Sequence, residues 1–361
     1  MFHELQPGGA RRVVNELAVQ LKKKNTVDLF TLSSQFFPSE YKFYTHVRLF
    51  QFSPSFPTIH DWKKRMYRDS IELYRLSRVH KKIAEEIDTG DYDVLLSFSS
   101  LFTHAPFLFR YTKTPLIYYC HEPLRLIYDK SLPFPDVHGV KKYYEKFSRR
   151  VRKQIDLSNV RFADTIFTSS QFTKKNIELA YRRSSIVVPP GVDTRFFHNK
   201  KSLRDIDVLF IGSFDYVDGY DRWKKIRSKL KNSIKVEERD SKKFQLTDDE
   251  VRNLYQRAKI VLCLSRNEPF GLVPLEAMSC GAIVLAVNEG GYRETILSGK
   301  TGMLLEPKNH NFVKSIRYLL SKPDILLKMS SDARIHARTR WNWASRAYNL
   351  ENALNDELRL R

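Results

Sequence analysis

The sequence predicts an α/β fold of parallel sheets in two domains, and three observations carry that prediction. Short apolar runs rich in β-branched residues recur between stretches of helical periodicity, at residues 27–32, 94–98, 115–120, 165–168 and 185–188. That alternation is expected of successive βαβ units. The pattern restarts after Pro189-Pro190-Gly191 with a further apolar run, 207–212, that ends in glycine. A chain of 361 residues is long enough for two domains of ordinary size, each with its own core. The division expected is residues 1–190, residues 191–340 and a final helix within 341–361.

The chain opens with only Met1 to Gln6 ahead of Pro7-Gly8-Gly9-Ala10-Arg11-Arg12. An amphipathic helix follows, with Val13, Leu17 and Leu21 on one face. Glycines at a helix start let a ligand approach the backbone N–H groups closely, although an ordinary turn uses the same residues. Further on, PLIYYCHEPLRLIY at 115–128 runs from an apolar strand into His121-Glu122-Pro123. His121 is thereby placed at a strand's carboxyl end, where open α/β sheets bind ligands. Arg125, four residues on, is either a contact for an anionic acceptor or a surface arginine. Over 141–155 a helix is expected with Tyr144, Phe147, Val151 and Ile155 on one face, flanked by Lys142, Lys146, Arg149, Arg150 and Lys153. Such a helix either lies on anionic lipid or packs its apolar side on the core, and Trp62-Lys63-Lys64-Arg65 would extend the basic patch. In the second half, strands are expected at 260–264 and 283–287 and helices near 311–321 and 325–338.

Residues 259–281, KIVLCLSRNEPFGLVPLEAMSCG, hold the densest signal. A buried strand stops at Ser265, Pro269 and Gly271 punctuate a turn, and a helix opens at Leu272 with Pro274 in its first turn and Gly281 at its end. The N–H groups around Phe270 to Val273 have no intrahelical partner and sit at the positive end of the helix dipole, so they suit a phosphate. Glu268 precedes the helix, and Glu276 lies a turn inside it with a side chain that leans back toward the same end. Two carboxylates beside an anion site are a poor phosphate trap. They make sense if each grips a pair of hydroxyls, one on a sugar and one on a ribose, with a diphosphate between them.

Charge and cysteine content set the remaining bounds. Lys and Arg number 62 against 41 Asp and Glu, a formal net charge of +21 that asks for an anionic partner. Charge alone does not choose among membrane, nucleic acid and phosphorylated substrate. Cys120, Cys263 and Cys280 show no metal-ligand spacing, and no apolar stretch approaches the roughly 20 residues of a membrane span. The setting expected is cytoplasmic, with a peripheral place on the inner face of the membrane.

The E-x7-E spacing of Glu268 and Glu276, and the run FGLVPLEAM at 270–278, resemble the retaining glycosyltransferases of family 4, whose mannosyltransferases carry close wording. The resemblance implies the GT-B fold: two Rossmann-like domains facing across a cleft, an N-terminal acceptor domain and a C-terminal donor-nucleotide domain, with the last helix crossing back onto the first. It assigns the donor sugar to Glu268 and the ribose to Glu276. Pro269, Phe270, Gly271 and Leu272 would hold phosphate with Gly9, and Gly8 and Arg11 would face the acceptor. By the same resemblance His121 lies beside the reacting sugar. The family also supplies an Arg just after the glycine that ends the second domain's first strand, and a Lys shortly beyond; neither follows Gly212 here. Arg222 and Lys224 are the preferred substitutes, with Lys225 and Arg266 as further candidates. Between Gly212 and Glu268 the chain is also shorter than usual for the family.

The activity expected is retaining transfer of a hexose, mannose or glucose, from a nucleoside diphosphate sugar to an acceptor such as a lipid-linked glycan. No metal and no other cofactor is called for, since no Asp-x-Asp cluster sits in a strand-end turn. Two rivals keep the fold: glucosylation of nucleic acid, which the charge favours and no base-reading motif supports, and a sugar-nucleotide-binding subunit that has lost its cations.

Overall fold

The computed structural model describes residues 1–6, 8–55, 62–100, 103–200, 203–244 and 246–359, with the backbone alone at 62, 63, 242 and 244. Pro7 and the side chains of Trp62 and Lys63 fall outside the described residues. The chain forms two compact units, one of Met1–Ser169, Thr173–Val188 and Ala347–Arg361, the other of Ser170–Phe172 and Pro189–Arg346.

The first unit carries β1 (Leu29–Leu32), β2 (Val47–Phe50), β3 (Leu95–Phe98), β4 (Leu116–Cys120), β5 (Thr165–Thr168) and β6 (Ile186–Val187). β1 pairs with β2, and β3, β4, β5 and β6 follow one another, all in parallel. Phe2 joins the two sets. Its N–H donates to Leu96 O and its carbonyl accepts from Phe98 N, while Phe30 N donates to Met1 O. The opening segment is thus the shortest of strands, bridged in parallel to Phe30 and Ser97. Counted from it, the order across the sheet is 3-2-1-4-5-6-7, the 3-2-1-4-5-6 arrangement of dinucleotide-binding sheets with one further strand, and it reverses between Phe2 and β3.

The second unit is a five-stranded parallel sheet of β7 (Ile206–Gly212), β8 (Val236–Asp240), β9 (Ala258–Cys263), β10 (Ile283–Val287) and β11 (Gly302–Leu305), in the order β11-β10-β9-β7-β8. Here the reversal lies between β7 and β9, the other common doubly wound order. Its core centres on these strands, with Trp223 fully buried, stacked at 5.4 Å on Phe210 and donating its Nε1–H to Glu238 at 2.6 Å.

Ala347–Arg361 clusters with the first unit through the final helix Trp343–Arg359, where Leu350 is buried and Glu351 meets Lys24 at 3.0 Å. The helix Gly139–Val160 corrects a sequence expectation. Its inward face is polar: Glu145, Ser148, Asp156 and Asn159 are buried, whereas Phe147 is 64% exposed. Asp69 explains the inversion, since it accepts from Tyr144 at 2.8 Å, from Ser148 at 2.5 Å and from Arg152, while Glu145 is gripped by Arg65 and Arg149. An ion network toward its start, and Ile155, Leu157 and Val160 on the core toward its end, hold this helix down.

Asp156 sits deepest, accepting from Ala105 N at 3.1 Å and the Tyr181 hydroxyl at 2.9 Å. Burial pushes its carboxyl up to about 7, against the lowering effect of those two bonds. The folded chain therefore binds more protons than the unfolded one between about pH 4 and that value, and Asp156 costs stability as pH rises through the window. Asp156→Asn keeps an acceptor oxygen and removes the titration. Its urea midpoint should fall less than that of the unsubstituted protein between pH 5 and pH 8; equal falls would show that Asp156 does not titrate there.

Candidate active site

In the second unit the carboxyl end of β9 lies at the reversal of strand order. Cys263 is its last residue, buried, and its thiol is pushed up by burial and then by the charges of Glu268 and Glu276. Both carboxylates therefore bear on one point at the strand's end. Glu276 is buried on the helix Leu272–Ser279, for which Gly271 is the N-cap, and Glu268 is half-buried in the turn before it. The Tyr292 phenol, buried beside them, is pushed up by burial and by Glu268.

The turn is clamped from β10. Gly291 N donates to Glu268 O at 2.7 Å, and a Cβ at Gly290, where φ is 58°, would fall on that same carbonyl. A Cβ at Gly291 would stand 2.6 Å from the Phe270 Cα. Phe270 is buried and meets Trp341 edge-on at 5.4 Å. Ser170, which clusters with this unit, donates to Pro269 O at 2.5 Å, and Glu294 accepts from Gln171 N and Phe172 N, each at 2.9 Å. Asn288-Glu289-Gly290-Gly291 escaped the sequence reading, although a glycine pair after the apolar run 283–287 is the signal seen again at Gly8-Gly9.

Cations reach this strand end from β7. Gly219 packs so closely on Leu264 that a Cβ there would fall on its carbonyl oxygen. The helix Tyr220–Arg227 starts at that contact. Arg222 donates to Leu264 O at 3.1 Å and pairs with Glu289 at 2.8 Å. Arg266 is buried, forked onto Asp221 at 2.8 and 2.9 Å, with its guanidinium 3.6 Å above the Tyr216 ring. Lys224 is exposed over Tyr220 at 5.2 Å and Lys225 is exposed beside it, so Arg222 and not Lys224 contacts the strand end.

The first unit gathers its own polar group at the carboxyl ends of Phe2, β3 and β4. His121 stacks between Phe98 and Tyr119 at 5.9 and 5.1 Å, and burial, with His104 beside it, holds its imidazole down to about 3. It is neutral at pH 7. Gly8 is the N-cap of the helix Gly9–Leu21, whose Val13, Val14, Leu17 and Leu21 are buried. Arg11, expected from the sequence to face the acceptor, is buried, forked onto Glu40 and donating to Leu5 O at 2.8 Å. Glu40 also accepts from Asn15 at 2.7 Å, so Arg11 braces the loop ahead of its own helix. Arg125 is likewise engaged locally, with Asp129 at 3.0 Å and Glu122 at 3.6 Å.

Residues 7–196 match the family model described as Glycosyltransferase Family 4, and residues 197–336 the one described as Glycosyl transferases group 1. The chain belongs to glycosyltransferase family 4. As a family 4 member it is 36% identical over 106 residues to the D-inositol 3-phosphate glycosyltransferase of Corynebacterium glutamicum, a match covering 29% of this chain and 25% of that protein. It thus spans about a quarter of the length of the curated relatives it matches. Whole-chain likeness comes from solved structures: sucrose-phosphate synthase of Thermosynechococcus elongatus, TM-score 0.73 at 15% identity over 98% of this chain and 94% of that one. HepE of Anabaena in complex with UDP and glucose gives 0.71 at 16% identity over 98% of both. The family 4 chain has the GT-B fold of these neighbours, two Rossmann-like domains.

If the Gly290 contact sets the position of Glu268, Gly290→Ala should weaken sugar-nucleotide binding at least about tenfold by calorimetry, because the turn must move to admit the Cβ. Unchanged binding would separate the glycine pair from the site.

Proposed function

We propose that the chain is a retaining hexosyltransferase that draws on a nucleoside diphosphate sugar. The observation that carries this is the convergence of Glu268 and Glu276 on the end of β9, beside the open N–H groups of the helix Leu272–Ser279. Glu276 is buried and its place inside the helix suits ribose hydroxyls, whereas Glu268, half-buried in the turn, suits the hexose. Support also comes from the neighbours: HepE was solved with UDP and glucose and with UDP-glucose on the same fold.

In the step proposed, the bond from the anomeric carbon to the diphosphate breaks and a bond to the acceptor oxygen forms on the same face. The acceptor's proton passes to the departing phosphate. Negative charge grows on that phosphate, so a fixed positive group there lowers the barrier. Arg222 takes this part by exchanging Glu289 for phosphate, with the helix N–H groups beside it. No metal enters the scheme proposed. Mannose from GDP-mannose is the first donor to try and glucose from UDP-glucose the second. D-inositol 3-phosphate, acceptor of the relatives named above, belongs in the acceptor panel beside lipid-linked glycans.

A donor panel with NMR of the product's anomeric configuration tests the reading. Turnover should persist in EDTA, and Glu268→Gln and Glu276→Gln should each lower kcat/KM by about a hundredfold or more, as loss of charged hydrogen bonds to a substrate does. Full donor binding by both variants would overturn the assignment.

We also propose that the first unit rests on an anionic membrane. Val140, Tyr143 and Phe147 share the outer face of the helix Gly139–Val160, being 70%, 76% and 64% exposed, and Leu126 and Phe134 are exposed nearby in sequence. Lys141, Lys142, Lys146 and Arg150 are exposed among them. Aromatic residues among lysines are the composition of an interfacial helix, where each basic residue adds about 1 kcal/mol on anionic lipid. Among the described residues no helix is long and apolar enough to cross a membrane. Phosphatidylglycerol vesicles should float the protein, and Tyr143→Glu with Phe147→Glu should cut the floated fraction at least about tenfold. Flotation that ignores both the substitutions and lipid charge would refute this.

A further inference from the structure

His3 stands at the place where the first sheet reverses its order. Phe2 pairs with Phe30 on one side and Ser97 on the other, and His3 follows at once, at the carboxyl end where such sheets take their ligands. Its side chain is fully buried. Thr31 Oγ1 donates to the His3 carbonyl at 2.7 Å, which pins the backbone.

The ring's protonation can be read from its contacts. Leu5 N donates to His3 Nδ1 at 3.4 Å, a contact that favours the tautomer with its proton on Nε2. That Nε2 is buried and has no partner among the described residues; the Nε2 of His121 is in the same condition. Burial, then the charge of Arg11, holds the His3 ring down to about 3, with Glu40 opposing and His121 among the nearby groups. A buried N–H donor without an acceptor is costly, and a ligand oxygen is one group that relieves such a cost. A neutral donor at the mouth of a sheet suits an uncharged oxygen better than a phosphate, which the cations and helix ends of the second unit already serve.

We infer that His3 is a positioning residue whose Nε2–H donates to a hydroxyl of a sugar substrate at the switch point of the first sheet. The inference rests on the glycosyltransferase reading for its substrate class and on the first unit alone for its geometry. Arg11 and Glu40 gain a purpose from it: their buried fork fixes the loop from Leu5 onward, which in turn holds the tautomer. The hydroxyl belongs either to the donor hexose or to the acceptor.

Two measurements decide it. In the full chain labelled with 15N-histidine, long-range 1H–15N spectra should show one ring protonated at Nε2 that disappears in His3→Gln. Its Nε2 signal should move when GDP-mannose or UDP-glucose is added if the hydroxyl is the donor's, and when the acceptor alone is added if it is the acceptor's. No movement with either overturns the proposal. The second measurement is kinetic. Glutamine carries an N–H donor near the Nε2 position, asparagine and phenylalanine do not, so His3→Gln should stay within about threefold of the unsubstituted kcat/KM. His3→Asn and His3→Phe should lose about ten- to a hundredfold, beyond any change in unfolding midpoint. Three variants that lose activity only in step with their midpoints would reduce His3 to a core residue. An Nε2 shift on sugar binding without turnover would leave this inference standing and remove the transferase reading, whereas turnover that needs Glu268 but not His3 would do the reverse.

Discussion

The hydrogen bond from Gly291 N to the carbonyl of Glu268, with Gly290 pressed against the same peptide, is the contact that joins the two loops at the strand ends of the second unit. It ties the loop after β10 to the loop after β9, and so sets where the helix Leu272–Ser279 begins and which way Glu268 faces. Parallel strands end side by side, and their loops must pack on one another without the hydrogen bonds of the sheet. Glycine permits this by letting backbone touch backbone. The contact of Gly219 with Leu264 repeats the solution one strand over and brings Arg222 to the same strand end.

The two arginines described at this end are each held by a carboxylate. Arg222 is held by Glu289, and Arg266 is buried between Asp221 and Tyr216. Arg266 is buried and held by Asp221, the Tyr216 carbonyl and the Tyr216 ring, which marks it as part of the scaffold. Arg222 differs in where it points: it donates to the Leu264 carbonyl at the strand end as well as to Glu289, whereas Arg266 is forked onto Asp221 and covers Tyr216. The same division of labour holds in the first unit, where Arg11 and Arg125, read from the sequence as acceptor contacts, serve Glu40 and Asp129.

What the sequence made legible follows from how each signal is written. The strands with both faces buried, such as Ile283–Val287 and Leu116–Cys120, were read to within a residue because burial on two faces leaves an unbroken apolar run. β8, Val-Glu-Glu-Arg-Asp, passed unread because an edge strand keeps its polar residues; the same holds for β2. Glu268 and Glu276 could be paired in advance since seven intervening residues span one turn of known shape. His3 could not, because its importance comes from Phe2 sitting between β1 and β3, and pairing between distant segments leaves no trace in a local pattern.

The helix Gly139–Val160 shows how a sound periodicity can point the wrong way round. Tyr144, Phe147, Val151 and Ile155 do share a face, but only its edge turns inward: the Tyr144 hydroxyl reaches Asp69 and Ile155 packs on the core, while Phe147 stays exposed and does not follow the usual rule. Instead Asp69, held well down to about 2 by Arg152 and its hydroxyl donors against the cost of burial, draws the polar side inward. Once Arg65, Arg149 and Arg152 are committed to Glu145 and Asp69, turning the helix over would strand two buried carboxylates without partners. That penalty exceeds the gain from covering Val140, Tyr143 and Phe147, each worth about 1.5–3 kcal/mol at most and less for side chains that keep a polar tip. Water therefore meets an aromatic face ringed by lysine. Lys141, Lys142, Lys146 and Arg150 are exposed among those rings, and the membrane contact proposed above rests on this sharing of one surface by apolar and basic side chains.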